Sequence, residues 1–402
     1  VYILSCNKSS LNVRYFYNIN EISINIWKEL NCTNNWYFHP KYLEALQQNN
    51  SKIQFAYIVL FDEQNSAVAL ATIQIVDFYL DSVQNEMQSI VHWVKCIGRK
   101  FRFLPPEKIF KILTCGNTFV SGEHGIFIKE NQNRNEILPK IAEAVFVFST
   151  LKPENIADAF MLKDFENKSL FSKSVLKEES YSAFNVEPNM VLHIAQNWNS
   201  LDDYLADLKT KFRVKARKAL KNSIVLKTED ITADRLKDLF PEMTVLYKTV
   251  SSKASFNLGD FNLQTFQTLK DNLGDAYFLK AYWLEDKLVG FLSGIFNQNS
   301  LDAHFVGIDY QNNKEYAIYQ RMLYDYISLG IESQVKSINF GRTASEIKSS
   351  VGAIPQDLTI YLRHKKTITN KILSLFLKKI QPSEFKQQYP FKEKKILSEV
   401  KL

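Results

Sequence analysis

The segment INFGRTASEIKSSVGAIP, residues 338–355, places one arginine and one lysine among small residues just past an apolar run. Arg342 follows Gly341 directly at the end of that run, the position where open α/β sheets present ligands. A guanidinium there grips a carboxylate or phosphate through two parallel N–H groups, and glycine removes the side chain that would block approach. Lys348 adds a second cation. The pair is a candidate holder of an anionic or carbonyl group. The competing reading is an arginine paired with a nearby acid and a glycine needed for a positive-φ turn.

Other residues suit proton transfer or positioning. His304 lies inside the apolar segment DAHFVGID; facing a cleft, an imidazole can take a proton from an attacking amine near neutral pH. A lone strand histidine is otherwise a packed core residue. Tyr316 and Tyr319 open the next helical stretch, and Tyr316 is a candidate acid or positioning group. The glycine-rich CGNTFVSGEHG, residues 115–125, offers Asn117 and His124 as substrate contacts, although such loops are also plain turns. No Ser-His-Asp order or other nucleophile signature stands out, so covalent catalysis is not indicated. The four cysteines and six histidines are scattered, which argues against a disulfide framework or a metal centre.

Between these candidates lies NWNSLDDYLADLKTKFRVKARKALKNS, residues 197–223. Ser200 and Asp203 make a capping-box-like start. Leu201, Tyr204, Leu205, Leu208, Phe212, Ala216 and Ala219 then recur at helical spacing, with Arg213, Arg217, Lys218 and Lys221 on roughly the opposite face. No acid interrupts residues 209–227. The stripe is either a solvated surface or a site for the phosphates of a nucleotide-bearing donor, of tRNA or of an anionic membrane.

The elements that must position these residues come in a repeated order. KIQFAYIVLF and AVALATIQIV, residues 52–61 and 67–76, read as a β-hairpin, and so do AYFLKAYWL and LVGFLSGIF, residues 276–284 and 288–296. Each hairpin is followed by a strand, a helix and a further strand. These are residues 125–129, 135–150 and 156–162 in the first half, and 302–309, 314–330 and 335–340 in the second. A shared order with drifting offset is how a diverged duplication looks. The last helical stripe, Ile368, Ile372, Leu375 and Phe376, is flanked by Lys371, Lys378 and Lys379, and Pro382 stops it. The lysine-rich end after it is expected to be mobile in part.

Composition sets outer limits. A chain of 402 residues with 46% hydrophobic and 23% charged residues is globular rather than disordered, and long enough for two or three domains. A net charge of +7 favours anionic partners without choosing among them. With no apolar run long enough to span a bilayer and no recognisable signal peptide, the expected location is the cytoplasm.

Four segments together, WNSLDDYLADLKTKFRVKARKALK, YWLEDKLVGFLSGIF, YQRMLYDYISLGI and INFGRTASEIKSSVGAIP, resemble the GNAT-like N-acyltransferases of the Fem-related group, relatives of the peptidoglycan-bridge aminoacyltransferases of bacteria. The resemblance spans residues 190–365. The front half, with WYFHPKYLEALQQ, follows the group's first domain more loosely. The resemblance implies an α/β protein of two tandem GNAT-like domains, each a mixed twisted sheet flanked by helices, with a cleft between them. The domains would be residues 1–190 and 191–366, the second beginning with the basic helix, and a basic amphipathic tail would follow at 367–402.

The same resemblance implies transfer of an acyl or aminoacyl group onto an amine of an envelope or lipid precursor, by positioning and oxyanion stabilisation. Residues 309–315 would be the phosphate-facing turn. DYQNNKEY there lacks the glycines that wrap a CoA pyrophosphate, which points to acyl-CoA of longer chain or acyl-carrier protein as co-substrate, with aminoacyl-tRNA as the alternative. Arg213, Arg217, Lys218 and Lys221 would gather the donor's phosphates. The acceptor would be a small-molecule or lipid amine, tRNA a further partner and DNA none. The amphipathic pattern of the tail suits either the anionic inner face of the membrane or packing on the body of the protein. A third reading is a non-catalytic RNA- or membrane-binding scaffold.

Overall fold

The computed structural model describes residues 2–5, 11–79, 109–169, 180–252, 259–380 and 382–392. The chain divides into two compact units. The first comprises Val1–Glu187, Ala254–Thr265 and Asp357–Pro382, and the second Pro188–Lys253, Phe266–Gln356 and Ser383–Leu402. Each unit is therefore discontinuous in sequence, and the tail expected at 367–402 is shared between them.

In the first unit, strands β1 (Tyr2–Ser5), β2 (Asn12–Phe16), β3 (Gln54–Phe61), β4 (Ala67–Tyr79), β5 (Ile109–Cys115) and β7 (Ala159–Glu166) lie side by side in the order β1-β2-β3-β4-β5-β7. All neighbours are antiparallel except β5 and β7, which run parallel from Ile112↔Ala159 to Cys115↔Leu162. The later part of β14 (Ile354–His364) continues the sheet beside β7. The hairpin read from QFAYIVLF is present, and all of β3 after its first residue is buried, which is why an unbroken apolar run replaces alternation. Helices α1 (Ile24–Leu30), α2 (Pro40–Asn49) and α3 (Arg134–Leu151) flank the sheet. From α3, Leu138, Ile141, Val145 and Phe148 pack into one core with Ile58, Leu60 and Phe160.

The strand expected at 125–129 is β6 (Ile126–Ile128), and it shares its edge of β4 with β5. Cys115 pairs with Ile73 and Ile126 with Ala71. Residues 116–125 are therefore an excursion out of a single strand position. At its base a Cβ on Gly125 would come within 2.5 Å of the Gly116 Cα, so the glycines in CGNTFVSGEHG close the loop.

The second unit has the order β8-β13-β12-β11-β10-β9, built from β8 (Ser182–His193), β9 (Lys227–Asp230), β10 (Tyr277–Leu284), β11 (Lys287–Asn297), β12 (Ser300–Ile308) and β13 (Ser337–Asn339). Only β12 and β13 are parallel. Its helices are α4 (Leu201–Asp207), α5 (Thr210–Asn222), α6 (Ala233–Ser251), α7 (Thr265–Leu273), α8 (Tyr310–Tyr316), α9 (Ile318–Glu332) and α10 (Ser345–Ser350). Val289, Leu292, Leu301, Met322, Ile327 and Ile338 are fully enclosed in its core.

Two helices expected as single pieces are each broken. Ser200 caps α4 by accepting from the Asp203 amide at 3.3 Å, but the stripe stops at Leu208, whose backbone is extended and bridges to Phe391. The Lys209 amide then donates to the Pro390 carbonyl at 2.8 Å. Between α8 and α9, Ala317 takes a left-handed φ of 50°. In both places a tertiary or turn contact takes the backbone group that a continuous helix would use.

Candidate functional site

Strands β12 and β13 pair only at Ser300↔Ser337, Leu301↔Ile338 and Asp302↔Asn339. There β13 ends while β12 runs on to Ile308, and residues 303–306 are half-exposed. Beyond Asn339 the chain turns through three left-handed residues, Gly341 (φ 70°), Thr343 (φ 66°) and Ala344 (φ 49°), before α10 begins. Two of these are not glycine, so the turn stores strain that its surroundings must hold. Met190 holds one side: it accepts from the Phe340 amide at 2.9 Å and donates to the Gly341 carbonyl at 3.1 Å. The Asn339 side chain caps the Gly341 amide at 2.9 Å.

Lys348 holds the other side. It is only 4% exposed, and its ammonium group donates to the Gly341 carbonyl at 3.2 Å and to the Arg342 carbonyl. Burial pushes its pKa down from 10.5 to about 7. The expectation of a lysine displayed to a ligand is thus replaced by a buried clamp on the peptide groups around Arg342. The Arg342 side chain is half-buried at the same end of the strand pair.

His304 is on the half-exposed stretch of β12, but its ring is enclosed by Phe266, Tyr277 and Phe305, with the Tyr277 hydroxyl 3.4 Å from Nδ1. Burial pulls its pKa down to about 3. An imidazole so weakly basic is a poor proton acceptor at neutral pH. Tyr316, at the end of α8, is half-buried, and hydrogen bonding to Glu315 raises its phenol pKa.

The phosphate-facing turn expected at 309–315 is instead the helix α8. Its N-terminus is capped by the Asp309 side chain, which accepts from the Gln311 amide at 3.0 Å and pairs with Lys287 at 2.8 Å. At the start of α9 the Tyr319 amide donates to the Asn313 side chain at 2.8 Å. Both helix starts are already served by the protein's own oxygens, and a carboxylate at the first repels an anion.

On α5, Phe212, Ala216 and Ala219 are buried. Arg217, Lys218 and Lys221 are exposed, and Arg213 is half-buried, reaching back to the Ala206 carbonyl at 3.5 Å.

In the first unit Asn117 is buried. It donates to the Tyr42 hydroxyl at 2.9 Å and caps the Phe119 amide at 2.9 Å, so it shapes the loop. The His124 ring stacks on Tyr37 with centroids 3.7 Å apart, and burial lowers its pKa to about 3. Beside it is a pair that the sequence reading missed: Lys163 and Asp164, 5% and 0% exposed, form an ion pair. Lys163 also donates to the Val120 carbonyl at 2.8 Å, and Asp164 accepts from the Gly122 amide at 3.2 Å with its own φ at 65°. The available signal was KD inside the otherwise apolar AFMLKDFE.

No protein-family model matches the sequence, and no curated protein does. The fold is similar to that of FemX, with a TM-score of 0.53 and 11% identity over 88% of this chain and 99% of that one. A tandem GNAT protein from the clavulanic acid biosynthesis pathway gives 0.48 at 8% identity, covering 88% of this chain and 98% of that one. The C-terminal domain of a putative lysylphosphatidylglycerol synthetase from Agrobacterium fabrum gives 0.47 at 8% identity, covering 88% and 94%. The likeness is one of fold alone, and it is to FemX that the fold is similar.

Proposed function

We propose, from this FemX-like fold, that the protein is an amide-forming N-acyltransferase. It would move an acyl group from a CoA or carrier-protein donor to an amine of an envelope or lipid precursor. The observation that carries the reading is the strained turn after β13, clamped by buried Lys348 and bearing Arg342 where β12 loses its parallel partner. A rigid turn at a strand end suits a reaction that runs mostly on positioning. Arg342 would hold the anionic part of donor or acceptor in its fork, with Lys348 as a positioning residue. Arg213, Arg217, Lys218 and Lys221 would draw in the donor's phosphates, and Tyr316 would orient the acceptor. His304, Asn117 and His124 are given no step, because packing already occupies them.

A second donor, aminoacyl-tRNA, is favoured by one observation. The amides at the starts of α8 and α9 meet Asp309 and Asn313 side chains, which leaves a CoA pyrophosphate little to bind there. Product mass spectrometry with acyl-CoA, acyl-carrier protein and aminoacyl-tRNA over a panel of amines separates the readings. Transfer from a thioester, inhibited by free CoA for the CoA donor, supports the first; transfer from charged tRNA that CoA leaves untouched supports the second. No product from any donor removes both.

The helix α11 (Thr367–Leu377) bears on the acceptor's setting. Ile368, Ile372 and Leu375 are exposed along one stripe, Ile368 by 78%, with exposed Lys371, Lys378 and Lys379 close by. Among the described residues no helix is long and apolar enough to cross a membrane. A stripe of this kind with lysines at its rim suits the interface of an anionic bilayer, where a lipid amine would be met.

A further inference from the structure

A cavity of about 350 Å³ opens on the second unit between α5, α9, α10 and the C-terminal segment 383–392. Lys211 and Lys215, one turn apart on α5, share its wall with Lys386, and Glu346 of α10 is the one acid in the lining. These are not the cations singled out by the sequence. On a helix, Lys211 and Lys215 lie on one flank of the buried Phe212 and Ala216 stripe, while Arg213 and Arg217 lie on the other.

The third wall exists because the C-terminal segment is docked. Lys392 donates through its backbone to the Asp207 carbonyl at 3.1 Å and through its ammonium to the Ala206 carbonyl at 2.7 Å. Gln388 donates its backbone N–H to Ser349 Oγ at 3.1 Å, and Phe391 packs on Trp198 and Tyr204. Gly352, at φ 101°, lies under that ring, and a Cβ there would come within 2.3 Å of it. Residues 386–392 are thus held against the unit and carry Lys386 to the cavity; the remainder of the stretch expected to be mobile in part, 393–402, lies outside the described residues.

The charges do not balance from within. Among the described residues no ion pair joins Lys211, Lys215 or Lys386 to a carboxylate, while Glu346 accepts from the Gln388 side-chain Nε2 at 3.5 Å. Lys211, Lys215 and Lys386 are exposed residues that line the same recess, and like charges on one recess favour an anion of more than one charge there. Lysines are compact point charges with three rotatable donors and lack the planar fork that matches a carboxylate. Three lining one recess, two from α5 and one from the C-terminal segment, suit a tetrahedral phosphoryl group. Phe212 and Ile347 add apolar wall beside them, and the volume is that of a small-ligand pocket.

We infer that this cavity binds a phosphoryl group, phosphate ester or pyrophosphate, carried on a small organic body. The inference stands on the cavity and does not depend on the transfer reading. Calorimetric titration of the full chain with inorganic pyrophosphate at fixed ionic strength tests it. Saturable binding at one site per chain is expected. The double variant K211Q/K215Q should weaken it about ten-fold or more, and K386Q several-fold. Removing two exposed charges elsewhere on the same unit, in K237Q/K314Q, should leave it unchanged.

Absence of saturable binding, full affinity in K211Q/K215Q, or equal loss in K237Q/K314Q would overturn the site. Circular dichroism confirms that each variant is folded. Competition identifies the source: displacement of pyrophosphate by CoA points to a phosphorylated small molecule, and displacement by a short single-stranded oligoribonucleotide to a nucleic-acid end. If neither competes, the organic body is wrong. A chain that binds pyrophosphate but transfers no acyl group leaves this site standing and removes the transfer reading.

Discussion

The ammonium group of Lys348 donates to the main-chain oxygen of Arg342, six residues earlier in the chain, so one buried cation sets the peptide geometry of the other. Charge on Lys348 carries a burial cost, and its pKa falls to about 7 from 10.5. Between those values the unfolded chain binds the extra proton, so stability rises with pH across the window, at up to about 1.4 kcal/mol per unit. Below about 7 the group is protonated in both states and contributes no slope. Lys348→Met should lack this rise. Urea unfolding of both proteins from pH 7 to 10 checks it, and parallel curves would refute the buried clamp.

Arg342 should matter to turnover and little to folding. Arg342→Ala is expected to lower kcat/KM about a hundred-fold, with an unchanged unfolding midpoint. Arg342→Lys should recover only a small part, because an ammonium cannot replace a bidentate fork. Wild-type turnover in the alanine variant would remove Arg342 from the site.

The Lys163 and Asp164 pair should be strongly coupled. Asp164→Asn keeps a residue tolerant of a left-handed backbone but leaves a buried ammonium without its counter-charge, which costs about 3–5 kcal/mol. Lys163→Met added to it should restore a large part of the loss. Denaturant unfolding of the two singles and the double gives the coupling; strict additivity would contradict the burial of the pair.

Membrane contact through α11 should need its apolar stripe. Ile368→Ser, Ile372→Ser and Leu375→Ser combined should lower partitioning onto vesicles containing anionic lipid about ten-fold or more. Flotation of the full chain measures it, and neutral vesicles should bind weakly. Equal flotation of wild type and variant would show that another surface makes the contact.

Both hairpins were legible because two mostly apolar, strand-sized runs flank a short polar turn; β3 and β11 are almost wholly buried, while β10 alternates through Lys280. The repeated order of hairpin, strand, helix and further strand was legible too, but not that β7 runs parallel to β5 rather than to β6. The helix breaks at Leu208 and Ala317 were not: the residues at both places are acceptable helix formers, and what interrupts Leu208 is a backbone partner at Phe391, far along the chain. Lys211 and Lys215 were present in the acid-free run, but periodicity alone gave no reason to prefer their flank.

Among the candidate residues, Arg342 was found because a glycine and a strand end are adjacent to it in sequence. Hydrophobic pattern and charge runs, then, determined which segments are strands, which helices are amphipathic and that one run is cationic, since these depend on near neighbours. Only the tertiary structure decided that Lys348 is a clamp, that His304 and His124 are packed rings, and that Lys386 lines the same cavity as Lys211 and Lys215. Burial and charge partnership are properties of residues brought together from distant parts of the chain, and no local period encodes them.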